Sequence, residues 1–313
     1  MSYIETMQSR ASERFELLHQ GVEDVVFTDF PDYSNVGDSA IALGQRAYWR
    51  SAGIRVRAAY SAPLLAPRVY DSPYPVVLNG GGSLGGLYGG IGEHRYSLAE
   101  RLDPSQLLIQ EPQSIHFVDS AARDEFARRM AARPNLRLAV RDEPSAAAVA
   151  GLIEPILAPD AVHHLGRIPA PEPSQPFVIL ARADKESAVR MSVANSRDWP
   201  ADPLDLRVLW WLGWRTKQVP PMKAFLRRSV DAWFGRAERR FARGVNMIAP
   251  GEVVITDRLH AMLIALQVGR RVIAIDNATG KLSAYAQAWL QDTDAPLTFV
   301  KNFDEAIALA KRG

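Results

Sequence analysis

A chain of 313 residues with 47% hydrophobic and 23% charged side chains is globular and long enough for two cores, which excludes disordered and fibrous classes. A net charge of +2 excludes a nucleic-acid polycation, and the absence of cysteine excludes disulfides, thiolate nucleophiles and Cys-based metal centres. The amino-terminal stretch MSYIETMQSRASERFELL lacks the apolar segment of a secretory signal, and no apolar run approaches the roughly 20 residues of a membrane span, so a soluble cytoplasmic protein is expected.

In chain order, an amphipathic opening helix leads to a β-branched run at 24–28 that reads as a strand. It ends in a turn-rich loop where Gly37 permits a left-handed turn and Asn35 and Asp38 offer groups for hydroxyls. A helix over 40–51 and a strand over 54–59 follow. A third strand, 76–78, runs into Asn79-Gly80-Gly81-Gly82-Ser83, within a glycine-rich stretch reaching residue 92. Gly80, Gly82 and Gly85 have the spacing of a dinucleotide fingerprint, but they follow an inner strand and no acidic strand end comes about 20 residues later. What survives is a loop whose backbone N–H groups approach an anion or substrate closely. Strands are predicted at 106–110 and 136–140 with a helix near 120–133 between them. Gln113, Ser114 and His116 lie just past the first of these strands, and Arg141 ends the second. His94-Arg95 is a further polar pair after the glycine run. A helix at 146–151 and a short strand at 156–157 come next. His163-His164, taken as strand residues, point to opposite faces and have no third ligand at metal spacing, so no metal site is expected.

The segment 168–176, IPAPEPSQP, reads as a linker because its prolines continue neither a helix nor a central strand. Beyond it strands are predicted at 177–180, 206–211, 253–256, 272–275 and 297–300, and Arg182 follows the first. Residues 222–243 form a predicted basic amphipathic helix with Leu226, Val230, Trp233, Ala237 and Phe241 on one face. It reads as a surface helix packed on its sheet. Its arginines would also suit an anionic membrane surface or a phosphate-bearing lipid carrier, giving a peripheral location at the inner membrane face. After the strand ending at Thr256, a helix over 258–268 carries Arg258 and His260 on its first turn. Helix N–H groups, a bidentate donor and a proton-transfer group then coincide, which describes an anion site with acid–base capability. Lys281, opening the next helix, is a second anchor for an anion.

Strands alternating with helices predict an α/β fold of two doubly wound Rossmann-like domains facing a cleft, 1–167 and 177–313 around the linker 168–176. The terminal helix 304–311 is free to pack on either. Ligands of open α/β sheets sit outside the carboxyl ends of strands, where Arg141, Arg182 and Arg258 all fall. A shared cleft with an anionic ligand is expected. Gly-x-Ser-x-Gly is absent, so a hydrolase elbow is not supported.

Taken in order, NVGDSAI at 35–41, NGGGS at 79–83, PQSIHF at 112–117, VRD at 140–142, PDA at 159–161 and VITDRLHAMLIAL at 254–266 resemble the polysaccharide pyruvyl transferase family. IDNATGK at 275–281 resembles the segment that follows in bacterial exopolysaccharide members, whereas 184–250 carries no matching motif. The resemblance implies a glycosyltransferase-B-like pair of domains. It also implies pyruvyl transfer from phosphoenolpyruvate to two hydroxyls of a saccharide, free or lipid-linked, as a ketal, with no further cofactor. Arg258 and His260 would contact the donor, and Arg141 and His116 fall in the family's other active-site motifs. His260 is the expected acid–base residue and His116 its counterpart. The rivals are a nucleotide-sugar glycosyltransferase of similar fold and a non-catalytic subunit of a polysaccharide assembly complex.

Overall fold

The computed structural model describes residues 2–86, 92–182, 195–215 and 219–312. Part of the glycine-rich stretch, residues 87–91, therefore lies outside the described residues. After helix α1 (Tyr3–Leu18) comes β1 (Asp24–Thr28), then α2 (Val36–Ser51), β2 (Arg55–Ala59), β3 (Val76–Leu78), β4 (Gly81–Leu84) and α3 (Gly92–Arg101). The first half continues with β5 (Leu108–Ile115), α4 (Ser120–Phe126), β6 (Leu136–Val140), α5 (Glu143–Val149) and β7 (Ile156–Leu157). These strands make one parallel sheet in the order β2-β1-β3-β5-β6-β7, with β4 pairing alongside β5. The second half holds β8 (Gln175–Leu180), α6 (Leu204–Arg215), α7 (Pro220–Leu226), α8 (Val230–Ile248), β9 (Gly251–Thr256), α9 (Leu259–Val268), β10 (Arg271–Ile275), α10 (Lys281–Trp289), β11 (Leu297–Val300) and α11 (Phe303–Ala310). Its parallel sheet runs β11-β10-β9-β8.

Alternation along the strands sorts the core into layers, because successive side chains point to opposite faces. Val25, Phe27, Val77, Ile109 and Ala139 pack with α1, α2 and α8, while Val26, Val76, Leu78, Leu108 and Leu138 pack against the opposite layer of helices. In the second sheet Ile179, Val253, Ile255, Ile273 and Ile275 face Phe303, Ala306 and Ala310 of α11, so the terminal helix packs on that sheet. The other face, with Leu180, Val254, Val272 and Ala274, is covered by α9 and α10. α9 is apolar almost all round and buried except at His260, as a helix between packed layers must be.

Three helices belong to both cores, α2 through Val36 and Ala40 over the second sheet and Ile41 and Leu43 over the first. α1 places Tyr3 and Met7 in the core over the second sheet and Phe15 and Leu18 in the core over the first. α8 places Trp233, Phe234 and Ala237 in the first and Val245 and Ile248 in the second. Among the described residues no helix is long and apolar enough to cross a membrane.

Three local expectations are corrected. Residues 206–211 are not a strand but the middle of α6: only Val208 is β-branched, and Leu206 and Gly213 face inward at helical spacing. The predicted helix over 222–243 is two helices. Arg227 leaves helical geometry to donate to the carbonyls of Leu64 and Leu65, and Ser229 restarts the chain as an N-cap, accepting from Ala232 N. His163 and His164 sit on a short 3-10 turn, Ala161–Leu165, rather than a strand.

Candidate active site

The carboxyl ends of both sheets open onto one cavity of about 200 Å³. In the first sheet the strand order reverses between β1 and β3, and such a switch point leaves a crevice beyond the strand ends. The loop after β1 brings Tyr33 and Asn35 to it and the first turn of α2 brings Asp38; Gly80 follows β3, Gly82 and Ser83 lie in β4, and Arg141 follows β6. The second sheet supplies Arg182 after β8, Arg258 and His260 after β9, and Asn277 and Lys281 after β10.

His260 is held from behind. Its Nε2 lies 3.1 Å from Asp160 Oδ2, and the same oxygen accepts from Arg141 Nη1 at 2.6 Å. Burial by itself would raise the Asp160 carboxyl, but His260 and Arg141 facing it hold it well below the usual carboxylate range. Asp160 is thus an acceptor, Nε2 carries the proton, and Nδ1 is left to exchange one. The ring is pressed against the first turn of α2: a Cβ on Gly37 would stand 2.5 Å from His260 Nδ1, so this position requires glycine. Asp160 is itself fixed, its backbone N–H donating to Tyr285 Oη at 2.9 Å and its Oδ1 accepting from Val162 N at 3.0 Å.

The arginines and the lysine converge by local rules. Thr256 ends β9 with its Oγ1 donating to Leu180 O and accepting from Arg258 N, which ties Arg258 to the neighbouring strand. Arg258, not Asp257, stands at the N-cap of α9, without a side-chain cap. Asp257 instead accepts from Arg182 N at 2.8 Å and so positions the end of β8. Arg258 Nη2 reaches Asp198 at 2.6 Å. Over Gly82 two cations from different sheets meet: a Cβ there would stand 3.1 Å from Arg141 Nη2 and 3.2 Å from Lys281 Nζ. Among the described residues four cationic side chains line the cavity against one carboxylate, Asp38, which accepts from Tyr33 Oη at 2.9 Å and Asn35 Nδ2 at 2.7 Å. Burial pushes Asp38 up, and the nearby charge of His260 only partly offsets it. A raised carboxyl beside an oriented imidazole, in a cationic cavity, can move protons on an anionic substrate.

Residues 35–279 match the polysaccharide pyruvyl transferase family. The chain belongs to that family. It is a transferase, and the family's activity is pyruvyl transfer to polysaccharide. Pyruvyl transferase 1 of Schizosaccharomyces pombe is 30% identical, with 92% of this chain and 76% of that protein covered. EpsO of Bacillus subtilis is 27% identical over 86% of each chain. A crystal structure of a protein of uncharacterised function from Klebsiella pneumoniae superposes with a TM-score of 0.65 over 95% of this chain and 99% of that one. At 17% identity that likeness is one of fold.

Of the residues predicted from the sequence of this pyruvyl transferase family member, Asn35, Asp38, Gly80, Gly82, Ser83, Arg141, Arg182, Arg258, His260 and Lys281 line the cavity. Gly37 supports it from behind His260, and Gly81, at φ +136°, turns the chain between two lining residues. Gln113 and Ser114 are buried rather than lining. Gln113 links Asn79 O to Ser83 N, and Ser114 Oγ accepts from Arg141 Nε at 2.9 Å. His116 is exposed and outside the cavity, because β5 runs on to Ile115 and carries it past the strand ends. Tyr33, Asp160, Trp199 and Asn277 were missed. Asp160 had a signal in the PDA motif and Asn277 in IDNATGK, whereas Trp199 lies where no motif matched. Arg95 is no lining group. It is buried, paired with Asp29 at 2.8 Å and donating to Ser83 Oγ at 3.0 Å.

Proposed function

We propose that the cavity binds phosphoenolpyruvate and transfers its carboxyvinyl-derived group to two hydroxyls of a saccharide, exopolysaccharide or lipid-linked precursor, as a pyruvate ketal. The observation that carries this reading is the convergence of Arg141, Arg182, Arg258 and Lys281, from both sheets, around a histidine oriented by a buried carboxylate. A donor with a phosphate and a carboxylate needs such a set of cations. A cavity of about 200 Å³ suits a donor of this size, leaving the bulkier acceptor at the mouth.

The reaction divides into steps these residues can serve. A proton is added to the donor's methylene carbon, leaving an oxocarbenium-like centre at C2. One sugar hydroxyl bonds to C2 as its proton passes to a base. The second hydroxyl then forms the other C–O bond, loses its proton, and phosphate departs with the electrons of the C–O bond it shared. His260 and Asp38 are the proton-transfer pair, with Asp38 in the place that sequence reading gave to His116. Asp160 orients His260 and balances its charge when protonated. The arginines stabilise the departing phosphate.

The test is phosphate release from phosphoenolpyruvate with candidate oligosaccharides, together with mass-spectrometric detection of an acid-labile ketal. Replacing His260 by Gln is expected to lower turnover about 10²- to 10⁴-fold. Asp38→Asn should remove one limb of the pH profile of kcat/KM, and His116→Ala should stay near wild type. Turnover retained in His260→Gln would overturn the assignment.

A further inference from the structure

Eight of the twelve exposed large apolar side chains among the described residues fall between Leu204 and Phe225, on α6, on α7 and at Val219, which caps α7. α6 anchors itself through Leu206, which is buried, and Gly213, whose Cβ position lies 3.7 Å from Pro63 and Leu64. Its outward side then presents Trp210, Trp211 and Trp214, each more than two-fifths exposed, and α7 adds Phe225 at 84%. A contiguous apolar surface of this kind marks an interaction site.

The charges around it select the occupant. Residues 204–215 and 219–228 carry five cationic side chains and one acidic one, Asp205, and that carboxylate is already paired with Arg239 at 2.7 Å. Arg207, Arg215 and Arg228 are exposed, and the Arg215 guanidinium lies over the Trp211 ring at 4.7 Å. Tryptophan, with an apolar body and a polar N–H, favours the headgroup level of a bilayer, and arginine favours anionic headgroups. The arginines of α8 are a different case: Arg236 and Arg240 turn inward to Asp32 and Asp202 and are buried. The outward basic surface therefore takes in the first residues of the segment predicted over 222–243, on α7, while Arg236 and Arg240 farther along it serve the fold.

We infer that α6 and α7 form a docking surface for an anionic lipid bilayer, with the Trp210, Trp211, Trp214 and Phe225 side chains entering the headgroup layer and the arginines contacting anionic headgroups. The surface starts close to the cavity. Trp199 lines the cavity and α6 begins at Leu204, so at most about 18 Å of chain separates them. Docking deepens the proposed function by holding the cavity at the surface where a lipid-linked acceptor resides, and only this consequence rests on that proposal.

The experiment is co-sedimentation and tryptophan emission of the full chain with phosphatidylcholine vesicles, and with vesicles in which part of that lipid is replaced by phosphatidylglycerol. Binding and a blue shift are expected on the anionic vesicles, weakening as salt rises. Arg207→Glu with Arg215→Glu should lower partitioning about thirtyfold or more, and Trp210→Ser with Trp211→Ser should abolish the blue shift. Both variants should turn over a soluble acceptor at the wild-type rate, so failed docking and failed catalysis are read separately. No binding to anionic vesicles, or binding unchanged in both variants, overturns the inference. So does self-association in sedimentation equilibrium that is lost in Trp210→Ser with Trp211→Ser, which would give the face to a second copy of the chain.

Discussion

At the residue scale the site depends on contacts with no spare room. Gly37 and His260 are the clearest pair: a methyl group 2.5 Å from Nδ1 forces the imidazole to turn and strains its bond to Asp160. Gly37→Ala is therefore expected to lower turnover about 10²-fold with little loss of thermal stability, measured by phosphate release and by melting. Behind the site His163 is buried, with its Nε2 2.8 Å from Tyr285 Oη. A neutral His163 with Nε2 as acceptor gives the buried Tyr285 hydroxyl, which accepts from Asp160 N–H, a partner for its own proton. Burial accordingly pulls His163 down to about 4 from 6.5. Between those values the unfolded chain binds the extra proton, so stability is fully present above about pH 6.5 and falls as pH drops toward 4, by a few kcal/mol. Melting temperature should follow that curve. In His163→Gln, which keeps an acceptor for Tyr285 but takes up no proton, the curve should become shallower, the remaining slope belonging to His164, which burial pulls down to about 3.

At the element scale α2 is wedged between neighbours at glycine contacts. A Cβ on Gly44 would stand 2.0 Å from the carbonyl oxygen of Ala161, and one on Gly244 of α8 would stand 2.3 Å from Val36. These approaches let α2, the 161–165 turn and α8 close on one another, which fixes the distance from Asp38 on α2 to Asp160 beside the turn. Gly44→Ala meets backbone that cannot rotate away and should cost about 3 kcal/mol in urea unfolding. Gly235, also on α8, has nothing within 4 Å of its Cβ position, so Gly235→Ala should stabilise the fold by about 0.8 kcal/mol through helix propensity. If the two substitutions behaved alike, close packing would not be what positions α2.

At the scale of the molecule, helices shared between sheets hold the cavity together. Arg240 of α8, buried, donates to Asp202 at 2.7 Å and to Asp32 in the loop after β1 at 3.0 Å. Arg240→Ala leaves Asp202 buried with Arg243 at 3.8 Å as its remaining cation among the described residues, and should cost about 3–5 kcal/mol in a denaturant titration. Arg239→Ala, removing an exposed pair from the same helix, should leave the unfolding midpoint where it is. α10 adds further ties, Trp289 Nε1 donating to Arg141 O at 2.9 Å and Tyr285 Oη accepting from Asp160 N. Each sheet thus fixes groups of the site contributed by the other.

Strand runs such as 24–28, 136–140 and 272–275 were legible in the sequence because the strands of a parallel sheet covered on both faces read as short, mostly apolar runs. The cationic ends of those strands were legible for the same reason, since a parallel sheet turns every carboxyl end the same way. Periodicity alone did not settle 206–211, where tryptophans fill the outward face of a helix, or the break at Arg227, whose partners are carbonyls more than 160 residues away. The placing of His116 outside the cavity and of Asp160 behind His260 was a tertiary decision too. The first depends on how far β5 extends, and the second on a histidine and an arginine brought together by packing from separate sheets. Local propensity and pattern act over a few residues and therefore determine elements and their ends. Which charges meet, and so which proton can move, is set by distances between elements that only close packing establishes.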